Sequence, residues 1–165
     1  MTLSDAEVER YARQLVIPEL GIEGQTRLLE CRVAVFGDPA GVCQATTYLR
    51  ASGVGTVVEE ALPEVDLILI AGTEAVEPEC LKDLFSLGPS VVWYAAGGEG
   101  FTTGFRSPGS VQPSPAGRRR ELPGRSHQWK SGATHAVAAC DASARTIAAL
   151  LGWPGAGGPG EVVLG

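Results

Sequence analysis

The sequence predicts an α/β fold of three layers, with a mostly parallel sheet truncated on one side of its first strand. Three observations predict it. A short apolar run, Val33–Phe36, leads through Gly37 into an amphipathic helix over residues 41–52, the first half of a β-α-β unit. Leu67-Ile68-Leu69-Ile70 is continuously apolar, as a strand buried on both faces is. Only Glu59–Val65 separate the strand that contains this run, Asp66–Ala71, from a second strand at Thr56–Val58. A parallel crossover containing a helix needs at least ~10–12 residues, so this connection is a bare return.

The other elements follow in order. Ser4-Asp5-Ala6-Glu7 is a capping box, with Leu3 and Val8 at the flanking staple positions. It starts a helix at Asp5 that runs to about Gln14. Pro18 and Gly21 break the chain, and a second helix covers residues 23–30. In the helix over residues 41–52, Val42, Ala45 and Leu49 share one face, and Gly53 follows its end. The strand around Leu67 covers residues 66–71. Pro78 opens another helix, with Cys80, Leu81, Leu84 and Leu87 inward and Gly88 at its end. Val91–Ala95 is a strand, and Phe101–Arg106 returns antiparallel to it. Residues 107–131, rich in Pro, Gly, Ser and Arg, read as a long loop. Thr134–Leu151 is an alanine-dense helix in which Asp141 and Arg145 pair at i, i+4. Gly152–Gly160 is a Gly/Pro tail, and Glu161–Gly165 reads as a last short strand.

Composition narrows the classes of function. The 165 residues read as one domain, 1–165, large enough for a real core. A formal charge of −6 argues against a nucleic-acid or acidic-membrane binder. No apolar run approaches the ~20 residues of a membrane span, and the N-terminus carries acids where a signal peptide has its apolar stretch. Cys31, Cys43, Cys80 and Cys140 are widely spaced, without a Cys-x-x-Cys pair. A cytoplasmic protein with free thiols and no metal site is expected. The basic run Arg118-Arg119-Arg120, with His127 and Trp129, reads as a solvated loop.

The segment Arg10–Leu28, followed by Arg32–Phe36 and the turn Gly37-Asp38-Pro39-Ala40-Gly41-Val42, resembles the ThiF/MoeB/HesA family, relatives of the ubiquitin-activating E1 enzymes. Tyr11, Arg13, Gln14, Pro18, Gly21, Gly24 and Gln25 match its N-terminal pattern. Gly53-Val54-Gly55 matches the end of its first β-α unit. The resemblance is specific over residues 4–55 and loose beyond. It implies a Rossmann-like fold and ATP-dependent adenylation. In the family a Gly-x-Gly-Gly-x-Gly turn lets ATP approach the backbone, and helix N-terminal amides hold phosphate.

Here that site departs from the pattern. Gly37 and Gly41 are the remnant of the glycine-rich turn and are expected to bind no cofactor. Pro39 removes a donor, Ala40 and Val42 add Cβ atoms, and Asp38 adds charge where a phosphate would come. Glu59 or Glu60 stands where the family has a ribose acid, without the basic residues that follow there; the next lysine is Lys82. The family's zinc-binding Cys-x-x-Cys pairs are absent. No catalytic residue is assigned. Cys140 reads as a core thiol, and Cys43, near a helix N-terminus, is a weak nucleophile candidate. Arg13, which in the family reaches the nucleotide of the other subunit, is either a partner-site arginine or an ordinary ion-pair former.

The resemblance implies a degenerate E1-like binding or regulatory subunit, without ATP or magnesium. It would be a homodimer, or a heterodimer with an active E1-like enzyme, or a partner of a ubiquitin-like sulfur carrier. Two alternatives stay open: a shortened but active adenylyl- or sulfur-transferring enzyme using ATP and magnesium, and a Rossmann-like binder of a small metabolite.

Overall fold

A computed structural model describes residues 3–59, 64–72, 88–97, 100–106, 119–121 and 131–153. Helix α1 spans Asp5–Leu15. Its capping box is closed: the Glu7 amide donates to Ser4 Oγ at 3.4 Å, and the Ser4 amide donates to Glu7 Oε2 at 2.7 Å. Hydrogen bonds from the Ser4 hydroxyl and then its amide hold the Glu7 carboxyl below its ordinary value. Helix α2, Gly21–Glu30, begins at a glycine with φ +54, two residues before the expected start.

Strand β1 (Arg32–Gly37), helix α3 (Pro39–Ala51) and strand β2 (Thr56–Val58) come next. Strands β3 (Leu67–Ala71), β4 (Ser90–Gly97), β5 (Gly100–Arg106) and β6 (Arg119–Glu121) follow, then helix α4 (Ser131–Leu151). β6 lies inside the segment read from sequence as loop 107–131. It pairs antiparallel with β5, Phe101 opposite Arg120. The Pro/Gly-rich composition around three β-compatible residues hides so short a strand. Helix α4 likewise starts three residues earlier than expected. The helix expected from Pro78 and the strand expected at Glu161–Gly165 lie outside the described residues, as does most of the Arg118–Trp129 run.

The sheet has the order β2-β1-β3-β4-β5-β6. β2, β3 and β4 extend β1 in parallel, whereas β5 and β6 are antiparallel additions. β2 and β3 flank β1 on opposite sides, so the chain crosses β1 between Val58 and Leu67. Those eight intervening residues return it without room for a crossover helix. The return is pinned at Arg32, whose amide donates to Asp66 Oδ2 at 2.7 Å and whose guanidinium meets Glu64 at 3.1 Å.

Both faces of the sheet are apolar and buried. Val33, Val35, Leu67, Leu69, Val92 and Tyr94 pack with Leu28, Leu49 and the alanines of α4. Ala34, Ile68, Ile70 and Val91 form the opposite cluster, with Phe36 and Trp93 against it. Burying each large side chain of this kind stabilises by about 1.5–3 kcal/mol. Ile68, Ile70, Val91 and Tyr94 are fully buried within one chain, so the apolar runs Leu67–Ile70 and Val91–Tyr94 give no reason for the cover of a second chain. Gly104 lets β5 lie against the Trp93 indole, where a Cβ would collide with the ring. The expected Asp141–Arg145 pair closes at 3.0 Å, and Thr103 Oγ1 donates to the same carboxylate at 2.8 Å, tying α4 to β5. None of the described helices is long and apolar enough to cross a membrane.

Candidate functional site

In an open parallel sheet, ligands bind beyond the carboxyl ends of the strands, near the first strand-to-helix turn. Here that turn is Gly37–Val42. Gly37 has φ +127, and a Cβ there would run into the Ala71 carbonyl of β3. Asp38, extended at φ −61 and ψ 132, is the N-cap of α3, and Pro39 takes the first helical turn.

A helix N-terminus has four amides to offer an anion. At α3 they are nearly all spent. The Asp38 amide donates to Ala71 O at 2.8 Å. Pro39 has no N–H. The Gly41 amide donates to Asp38 Oδ2 at 3.0 Å. The Val42 amide makes the first helical bond, to Asp38 O at 2.8 Å. Only Ala40 is left without an acceptor among the described residues. The chain's own carboxylate therefore takes one of the amides that a helix N-terminus can offer an anion.

The inner side of α3's first turn packs directly on Tyr94. A Cβ at Gly41 would strike the Tyr94 hydroxyl. Tyr94 is wholly buried on β4, and its ring lies edge-on to His135 of α4, with centroids 6.1 Å apart. The two remnant glycines, Gly37 and Gly41, are thus required by close packing against Ala71 and Tyr94. The Asp-Pro pair was legible as an N-cap with proline at the first helical position. The Tyr94–Gly41 contact was not, since it depends on how β4 and α3 meet.

Three of the N-terminal pattern residues, Tyr11, Gln14 and Gln25, gather at the opposite end of α3. Gln25, fully buried, donates through Nε2 to Ser52 O at 3.1 Å. Gln14 Nε2 reaches Ala51 O at 3.3 Å. Gly53, at φ +89, leaves room for Gln25 and the Tyr11 ring, and Gly55 for the Leu29 carbonyl. These side chains satisfy carbonyls that the helix end leaves open. On α2, Arg27 does the same for α4, donating to Leu150 O and Leu151 O at 3.2 and 3.4 Å.

Arg13 lies in the last turn of α1 and is exposed, with no ion pair among the described residues. Its neighbour Gln14 sits on Ala51, at the far end of α3 from Gly37 and Gly41. The thirteen residues of α3 place the two ends roughly 18 Å apart. The structure does not bring Arg13 together with its own turn.

A cleft of about 500 Å³ opens beside the turn on the β2 side of β1, lined by Val35, Gly37, Val42, Thr46, Arg50 and Glu59, among others. Glu59 therefore faces a cavity, while Glu60 and Lys82 are outside the described residues. Among the thiols, Cys43 lines this cleft and is exposed. Cys140, read from sequence as a core thiol, is exposed too: it lies on the outer side of α4, whose inner side is Ala138, Ala139 and Ala142. Burial, and next the nearby Asp66 charge, push the Cys31 thiol up from its ordinary value, and its Sγ donates to Arg27 O at 3.1 Å. Among the described residues no three His, Cys, Asp or Glu side chains converge as metal ligands would.

No family model matches the chain. A third of it is similar to curated proteins. It is 54% identical over 57 residues to the probable adenylyltransferase/sulfurtransferase MoeZ of Mycobacterium tuberculosis. It is 46% identical over 55 residues to the adenylyltransferase and sulfurtransferase Uba4 of Pyricularia oryzae, and 51% over 53 to MOCS3 of Bos taurus. These matches span only 14%, 11% and 12% of the relatives' lengths. The fold extends further. PaaA aligns over 92% of this chain and 67% of its own, with a TM-score of 0.64 at 16% identity. MccB of E. coli aligns over 87% of this chain and 62% of its own, with a TM-score of 0.62 at 14% identity. Over a third of its sequence the chain is similar to these ThiF/MoeB-type, E1-like proteins, and its fold is that of PaaA and MccB.

Proposed function

We propose that this chain is an E1-like subunit that neither binds ATP nor adenylates, and that acts by binding a partner. The observation that carries this reading is the Asp38–Gly41 hydrogen bond, backed by Pro39. A triphosphate at this turn would meet one available amide and a carboxylate. Two like charges about 4 Å apart cost on the order of 1–4 kcal/mol at intermediate effective dielectric.

The partner is a second copy, an active E1-like enzyme or a ubiquitin-like sulfur carrier. Exposed apolar side chains favour an interface on the α1–α2 side: Val16 is 78% exposed and Ile22 61%, with Val8 and Ile17 also open. Arg13 belongs to the same helix. Held far from its own turn, it is available to the triphosphate of a partner, where a charge-assisted contact contributes about 1.5–3 kcal/mol.

The test is pyrophosphate exchange by an active E1-like partner, with wild-type chain or Arg13→Ala added. The heterodimer reading predicts a complex by gel filtration and a slower exchange with the variant. Equal rates, or no complex, remove Arg13 from a partner's site.

A further inference from the structure

A second cleft, of about 440 Å³, opens between the start of α2 and the end of α4. Leu20 and Leu151, each 7% exposed, lie at its base, and Trp153 lines it as well. Gly24 keeps the two leucines close: a Cβ there would come within 2.9 Å of Leu20 Cδ1 and 3.6 Å of Leu151 Cδ2. Ile22 stands open at the rim, on the same stretch of chain as the exposed Val16 and Ile17. This place is remote from the Gly37–Val42 turn. His135, near the start of α4, lies beside Tyr94 and so near Gly41. Leu151 is sixteen residues further on, roughly 24 Å along the helix.

The charge of the cleft is unbalanced. Glu19 and Glu23, four residues apart and both exposed, line it. Neither makes an ion pair or a side-chain hydrogen bond among the described residues. The cation among the lining residues is Arg27, and its guanidinium is spent on Leu150 O and Leu151 O. Two carboxylates beside an indole suit a cation, which the carboxylates pair with and the ring face attracts. A lysine or arginine side chain suits the rest of the cleft. Its aliphatic stem can lie along Leu20 and Leu151 while its charged end stays in the wet rim.

We propose that this cleft takes a lysine or arginine side chain of a partner protein, with an apolar neighbour of that residue against Ile22. The inference rests on the reading of the α1–α2 side as an interface, and it names the partner there as a different chain with a basic contact surface. A second copy is a poorer match, because the chain is acidic, with a formal charge of −6. Nor does its own end supply the cation: Pro154–Gly165, which continue from Trp153, contain no lysine or arginine.

The experiment is an NMR titration of the whole chain, read at backbone amides and at the Trp153 indole N–H. The probe is Ac-Leu-Arg-Leu-NH2, with Ac-Leu-Gln-Leu-NH2 as its uncharged counterpart. The expected result is saturating shifts at Leu20–Gly24 and Trp153 in the millimolar range, severalfold weaker for the glutamine probe. Glu19→Gln combined with Glu23→Gln, both at exposed positions, should weaken the arginine probe severalfold and leave the glutamine probe unchanged. Salt at about 1 M should do the same. Ile22→Ser should weaken both probes. Equal binding of the two probes would overturn the proposal. So would shifts confined to another surface, or none at millimolar peptide. If Leu164→Asp moves the Leu20–Gly24 amides in the peptide-free chain, the chain's own end fills the cleft and the proposal is wrong. An E1-like partner that co-elutes equally with the wild type and with the Glu19→Gln/Glu23→Gln variant would keep the binding-subunit reading and remove only this cleft from it.

Discussion

The carboxylate of Asp38 and the amide of Gly41 are joined by a 3.0 Å hydrogen bond across the first turn of α3. This contact caps the helix with the chain's own anion. Asp38→Ala should cost about 0.5–2 kcal/mol of folding stability, read from urea melts. It should not create ATP binding, because Pro39 still lacks an amide proton and the Gly-rich backbone of the family's turn is still missing.

Gly41 is held by packing, so Gly41→Ala should be destabilising by about 1–3 kcal/mol through its clash with the Tyr94 hydroxyl. In a Tyr94→Phe background the same substitution should cost less. A double-mutant cycle with a coupling above about 0.5 kcal/mol supports the contact. Additive effects would show that the alanine is accommodated in another way.

The C-terminal end of α3 should be as sensitive as its start. Gln25→Ala removes the buried bond to Ser52 O and should cost about 1–3 kcal/mol. Gln14→Ala removes a longer, more exposed bond to Ala51 O and should cost under about 1 kcal/mol. The ranking is the check, measured by thermal melts of the two variants side by side.

The thiols should separate by rate. Burial raises the Cys31 pKa above its ordinary 9.0, so at pH 8 its thiolate fraction is smaller than that of a free thiol. Iodoacetamide should modify the exposed Cys43 and Cys140 before Cys31, as peptide mapping would show. The same shift sets a sign for stability. The folded state holds the proton more tightly than the unfolded chain, so the contribution of this group falls as pH rises above about 9. Cys31→Ser should flatten that alkaline decline.

Much of the fold was legible because local signals agreed. The Ser4–Glu7 box, the Leu67–Ile70 run and the short connection after β2 each have one reading, and the structure has the corresponding helix and buried strand, with β2 and β3 on opposite sides of β1. The site was legible only in part. Asp38-Pro39 announces a capped turn, but the burial of Tyr94 against Gly41 depends on packing between elements far apart in sequence. The pattern residues Tyr11, Gln14 and Gln25 matched a family motif, yet nothing local indicates that they close the far end of α3. β6 and the exposure of Cys140 were missed for the same reason. A three-residue strand and the outward side of an alanine-rich helix are both decided by tertiary neighbours.

The central claim is that the α3 turn does not take a nucleotide triphosphate. Calorimetry of the whole chain with ATP and Mg²⁺ tests it most directly. The account predicts no saturable heat up to millimolar ATP, for the wild type and for Asp38→Ala alike. A micromolar dissociation constant for the wild type would contradict it.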